Sequence, residues 1–121
     1  TSFVARFVLQ RNILPIQISG QYIITPVGTL NNPTNFQYSI THELILDNQC
    51  LQVSKNSRGE SIVLGVEFHG NHWLLRVQLG PHIFRVCHSL DNPLKPGDKC
   101  FLSFKSGNHG ILFPGAIKIA L

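Results

Sequence analysis

The 121 residues contain no methionine and little charge: Asp, Glu, Lys and Arg together make up 13%. A disordered tail needs high charge and little apolar content, and here the hydrophobic share is 43%. A coiled coil is excluded as well. No stretch approaches the roughly 18 uninterrupted apolar residues of a membrane helix. The opening TSFVARFVLQ lacks both the apolar core and the cleavage site of a secretory signal. With no initiator Met, Thr1 reads as a cut made for expression, and a piece of a longer protein is expected. Three cysteines, Cys50, Cys87 and Cys100, are an odd number without any Cys-x-x-Cys pair. They read as reduced, buried thiols of a cytosolic protein.

Catalytic signatures are missing too. There is no Gly-x-x-x-x-Gly-Lys-Ser/Thr loop to cradle phosphates, no Gly-x-Gly-x-x-Gly after a strand and no Gly-x-Ser-x-Gly elbow. With six carboxylates in all, the chain by itself reads as no enzyme and as holding no cofactor.

What is present is a β pattern. In Thr1 to Gln10, Phe3, Val4, Phe7 and Val8 share one face of a helix, and Pro15 stops that helix from running on. From there the signals are short. IQISG and QYIITPVG read as two strands broken at Gly20 and Pro26, and FQYSITHELIL follows after the turn cluster NNPTN. DNQCLQVSKNSRGES reads as a polar loop with a short edge strand at Leu51 to Val53. SIVLGVEF and WLLRVQLG form a hairpin across Gly70-Asn71, where Gly tolerates positive φ at the first turn position. PHIFRVCHSL, CFLSF and the two halves of ILFPGAIKIAL supply the remaining strands. Some eight short strands at close spacing predict a mainly β fold, a small antiparallel OB-like barrel, preceded by a short N-terminal helix. The expected layout is a junction helix over 1–12 and a barrel over 13–121.

Two constellations invite a chemical reading. A tight turn brings His69 and His72 side by side, with Glu67 two residues earlier on the face of His69; two imidazoles and a carboxylate are a possible transition-metal set. The plainer reading is that both histidines flank a half-solvated turn. Nucleic acid is the other possibility, because OB barrels combine a basic groove with stacking aromatics. The net charge is +4, yet the densest basic group is only Lys95, Lys99 and Lys105. Phe68, Trp73, Phe84, Phe101 and Phe104 fall in strand runs, where core burial is expected. No nucleic acid is expected as a partner.

The run SIVLGVEFHGNHWLLRVQLG with the later LKPGDKCFLSF resembles a TOBE domain, the regulatory barrel of ATP-binding subunits of bacterial ABC importers. Phe68 and Gly70 match that family's aromatic-x-Gly strand end, Leu75 and Val77 its Leu-x-Val strand, and Gly97-Asp98 the Gly-Asp before a later strand. The opening, with Phe3-Val4-Ala5, Phe7, Asn12 and Leu14, resembles the junction that leaves the family's ATPase domain. Gly20 and PVGTL resemble its first hairpin. Where the family carries Arg-Pro-Glu, this chain reads Thr41-His42-Glu43, so only Glu43 carries over.

The resemblance implies a regulatory and dimer-contact domain of an importer's ATP-hydrolysing subunit, for ferric iron or another small ion. ATP and Mg would then be held by an upstream ATPase domain. The implied partners are a second copy, that ATPase domain and, through the whole protein, membrane permease subunits. The implied location is cytoplasmic, at the inner face of the cell membrane. The C-terminal run, with Lys118 as its one charge, is the expected dimer contact, through Ile117 and Ile119. A stand-alone oxyanion- or metal-binding barrel and an OB-type nucleic-acid module are the competing readings.

Overall fold

Every second side chain from Asn12 to Ile16 is buried, the period of a strand with one face on a core. This is β1, Asn12–Ser19, in a computed structural model that describes residues 11–32 and 42–121. The expected helix over Thr1 to Gln10 and the segment FQYSIT lie outside the described residues. Asn12, placed by the sequence reading in the junction, opens β1. Pro15 has no N–H to give to a ladder. It stands where β1 pairs with His42–Leu46 alone, before Tyr22–Ile24 joins at Gln17.

The chain divides into two compact units. The first holds the described residues up to Cys50 together with Lys105–Leu121. Its strands are β1, β2 (Tyr22–Ile24), β3 (Thr29–Asn31), β4 (His42–Leu46), β10 (His109–Phe113) and β11 (Ile117–Ala120), in the order β11-β10-β4-β1-β2-β3. All neighbours run antiparallel. Leu14, Ile23, Leu44, Leu112 and Ile119 are fully buried on its core face.

The second unit is Leu51–Phe104. It contains β5 (Leu51–Lys55), β6 (Ser61–Phe68), β7 (Trp73–Leu79), β8 (His82–His88) and β9 (Lys99–Phe104), in the antiparallel order β5-β9-β6-β7-β8. This sheet curls until its outer strands, β5 and β8, approach each other. Phe84, Leu75, Val77 and Val86 fill it. Such a sheet is compatible with an OB-like barrel. The chain is therefore mainly β; the one helical element among the described residues is a 3-10 turn at Asn48–Cys50.

Periodicity announces strands but not which strands pair. Hence the sequence reads as one barrel over 13–121, whereas Leu51–Phe104 is an insertion between β4 and β10, which pair across it. The polar stretch after Asp47 is more ordered than expected: β5 runs to Lys55. Two aromatics depart from expected burial. Phe101 points outward from β9, between inward Cys100 and Leu102, and is 46% exposed; Phe68, at the end of β6, is 63% exposed.

Three hairpins use one device. Gly20, Gly70 and Gly80 each take the first place of a two-residue turn, with φ of 58°, 87° and 58°. Positive φ at that place alone is the type II′ geometry that suits twisted strands.

Candidate functional site

The family-type positions of the second unit gather around β6. The hairpin after Phe68 closes with the His69 N–H donating to the His72 carbonyl at 2.9 Å. Leu75 and Val77 are fully buried, so their alternation belongs to the core face of β7. Lys95-Pro96-Gly97-Asp98 is a turn with Pro second and Gly third, Gly97 having φ of 93°. This is the type II pattern, and the Asp98 N–H donates to the Lys95 carbonyl at 3.1 Å to close it. The Asp98 carboxylate then accepts from the Lys95 N–H at 2.9 Å and faces Lys55 Nζ at 3.7 Å. Gly97 and Asp98 also bond the backbone of Val63 from both sides. Leu94, in the same link, is buried and pins it to the core.

Val63 is also where β6 bulges. Leu64 is the extra residue, since Val63 faces Val77 while Gly65 faces Arg76. Past the bulge, Gly65 makes room for Arg76: a Cβ there would stand 2.5 Å from a guanidinium nitrogen. Arg76 thus lies over β6, although its cross-strand neighbour on β8 is Arg85.

His69, His72 and Glu67 do come together on the hairpin. The imidazole Nε2 of His69 lies 3.2 Å from Glu67 Oε2, and the two rings are tilted with centroids 5.4 Å apart. His72 Nδ1 is turned instead to Asn71 Oδ1 at 2.6 Å. Among the described residues no group of three or more His, Cys, Asp or Glu side chains has a geometry that could hold a metal ion. Trp73 meets Phe68 edge-on at 5.3 Å, and its indole N–H is buried with no hydrogen-bond partner.

In the first unit, Glu43 is exposed on β4 between Pro15 on β1 and Phe113 on β10. The two residues expected to touch a second copy part company. Ile117 is half-buried, but Ile119 is 0% exposed. The core-facing side of β11 takes Ile119, so that side chain offers nothing to a partner; the apolar run there serves the unit's own core. Sequence reasoning missed a different surface. Ile13, Tyr22 and Ile24 are exposed on the opposite face of the sheet, and Pro15, Gln17, Ile24, Thr25 and Pro26 line an open groove of about 400 Å³. The signal for it lay in β1 and β2, where apolar residues occupy both sets of alternate positions.

Cys50, Cys87 and Cys100 are in no disulfide. Burial pushes the Cys50 thiol pKa up, with Arg11 pulling the other way. Burial raises that of Cys100 as well, and the neighbouring Asp98 charge adds to it. No helix among the described residues is long and apolar enough to cross a membrane. Compared with protein-family models and with curated proteins, the sequence matches none.

Proposed function

We propose that this chain is a TOBE-type regulatory and dimer-contact domain of the ATP-hydrolysing subunit of an ABC importer, for ferric iron or another small ion. The observation that carries the reading is the Gly97-Asp98 turn. The Gly-Asp pair that matches the family pattern is the piece that fastens the link before β9 onto β6. So read, the domain acts through its surfaces. In this reading ATP and Mg are held by an ATPase domain of the same longer protein, and permease subunits are met through that protein. The domain works in the cytoplasm, against the inner face of the membrane. Contacts between two copies hold the pair together while the ATPase halves open and close. A ligand that favours one arrangement of the pair shifts that equilibrium only by its difference in affinity for the two states.

The test is the reading frame upstream of Thr1 in the gene. A phosphate-binding loop encoded in frame supports the proposal, and a frame without one ends it. A second measurement is ATP turnover by the purified chain, expected at the buffer blank.

A further inference from the structure

Leu75 and Val77 on β7 and Phe84 and Val86 on β8 fill the second unit's core, so the residues between them face out. Arg76 and Arg85 are two of these. Both are exposed, and they stand directly opposite each other in the ladder. Like charges in that place work against strand pairing. The Arg76 guanidinium lies over the backbone of Gly65, where a side chain would stand in its way. Among the described residues no carboxylate forms an ion pair with Arg76. The same face carries a third exposed cation, Lys99, reached through the cross-strand pairs Gln78 with Ile62 and Ile62 with Lys99. The one acid on β6 to β9 is Glu67, at the hairpin end, and its carboxylate is engaged with His69 at 3.2 Å.

Charge calls for an anionic occupant, and the apolar neighbours select its class. Ile83, two residues from Arg85, is 58% exposed on this face, and Phe101, two residues from Lys99, is 46% exposed. A small ion covers neither, and on an open face an isolated ion pair is worth little. A nucleic-acid strand stacks its bases on successive aromatic side chains. Here Phe101 is a single aromatic, and Ile62, Leu74 and Ile83 are aliphatic. An acidic polypeptide supplies both parts, carboxylates for the forked donors of the guanidiniums and apolar side chains to cover Ile83. Laid over β7 and β8, it also removes the repulsion between the two arginines.

We propose that the outward face of β7 and β8, centred on Arg76, Arg85 and Ile83, docks an acidic polypeptide segment of a partner protein. The inference goes beyond the regulatory-domain reading and stands without it.

The experiment is a calorimetric titration of the purified chain at about 0.15 M salt, where exposed charges more than about 8 Å apart are largely screened. The probes are a soluble copolymer of glutamate and tyrosine, oligothymidylate and inorganic phosphate. Variants are Arg76→Gln with Arg85→Gln, and Ile83→Ser. The control of equal net charge is Lys105→Gln with Lys118→Gln, at exposed positions of the first unit. The expected result is a copolymer complex whose dissociation constant rises at least about tenfold in the double arginine variant. Ile83→Ser should raise it severalfold and the lysine control less than about twofold. All variants should keep the wild-type circular dichroism, since every substituted side chain is exposed. A copolymer that does not bind overturns the proposal, as do equal losses in the arginine and lysine variants. Oligothymidylate that binds more tightly than the copolymer, and through the same arginines, overturns it in favour of a nucleic-acid surface. Phosphate that binds as tightly as the copolymer overturns it in favour of a small-ion site. None of these outcomes touches the upstream reading frame, which decides the regulatory-domain reading separately.

Discussion

Val63 donates its backbone N–H to the carbonyl of Asp98 at 2.9 Å. The Val63 carbonyl in turn accepts from the Gly97 N–H at 2.8 Å. The β6–β9 ladder covers only Ser61 with Cys100 and Ile62 with Lys99. The Gly97-Asp98 turn prolongs that short ladder by one residue pair, at the place where β6 bulges toward β7. A strand that loses register at a bulge is thereby held on its other side.

Asp98 is the residue whose side chain keeps that turn in shape. Its carboxylate is 11% exposed and accepts the Lys95 N–H, while Lys55 is 63% exposed. The exposed ammonium adds little. The backbone hydrogen bond to a charged acceptor is the larger part, about 2 kcal/mol. Asp98→Ala is therefore expected to lose about that much in urea unfolding with unchanged slope. Lys55→Ala should lose less than about 0.5 kcal/mol. Equal losses from the two variants would show that the ion pair, not the turn, does the holding.

The buried thiols set an alkaline limit. Burial favours the neutral form of Cys100, and Asp98 reinforces it, so the folded pKa stands above the ordinary 9.0. The stability this gives is fully present below that ordinary value and is lost as pH rises from there toward the folded pKa. The melting temperature of the wild type should be steady near neutrality and fall from about pH 9 upward. Cys100→Ala removes one titrating thiol, so its melting temperature should fall less steeply over that range, whatever its starting value. Parallel curves for the two proteins would exclude Cys100 as a source of the alkaline loss.

How far the sequence announced this structure depends on what each signal measures. Apolar alternation in β6 to β11 reports one buried face, and those strands stand where the pattern puts them. Gly70-Asn71 was legible because a tight turn demands a residue that tolerates positive φ at a defined place. Pairing was not legible. β4 and β10 join across Leu51–Phe104, and nothing local in His42–Leu46 or His109–Phe113 names the other as partner. The bulge at Leu64 was hidden for the same reason, because it exists only relative to β7. At the surface the failure was of another kind. Apolar content in β11 suggested a partner contact, yet content does not say which face a residue takes, and Ile119 takes the inner one.

Trp73 gives a prediction against intuition. Truncating a fully buried Trp to Ala costs about 3–5 kcal/mol, an upper bound for the half-buried Trp73. Trp73→Phe keeps a ring against Phe68 and removes a buried N–H that has no partner. An unmatched buried donor is itself a penalty of about 1–3 kcal/mol, which offsets the lost ring volume. The expected change in unfolding free energy is within about 1 kcal/mol of zero, measured by circular dichroism in urea. A loss of several kcal/mol would mean that the indole N–H is satisfied in solution.

Ile117 and Ile119 lie on one strand, and their substitutions should differ sharply. Ile119 faces Gly110 across the β10–β11 ladder and is fully enclosed. Gly110 leaves no spare room on that face, since a Cβ there would come within 2.9 Å of side-chain carbons of both Leu44 and Leu46. The space beside β11 is already filled. Burying an unpaired charge in such a site is among the few single changes that cost more than about 4 kcal/mol. Ile119→Asp should therefore fail to fold, or fold only when protonated at acidic pH. Ile117 is half-buried and opposite Leu112. Its Asp variant can turn the carboxylate to water, so a loss of about 1 kcal/mol is expected and the fold is kept. The measurement is far-ultraviolet circular dichroism with thermal melting of both variants at neutral pH. A cooperative melt for Ile119→Asp at a temperature close to that of Ile117→Asp would show that β11 does not bury this residue.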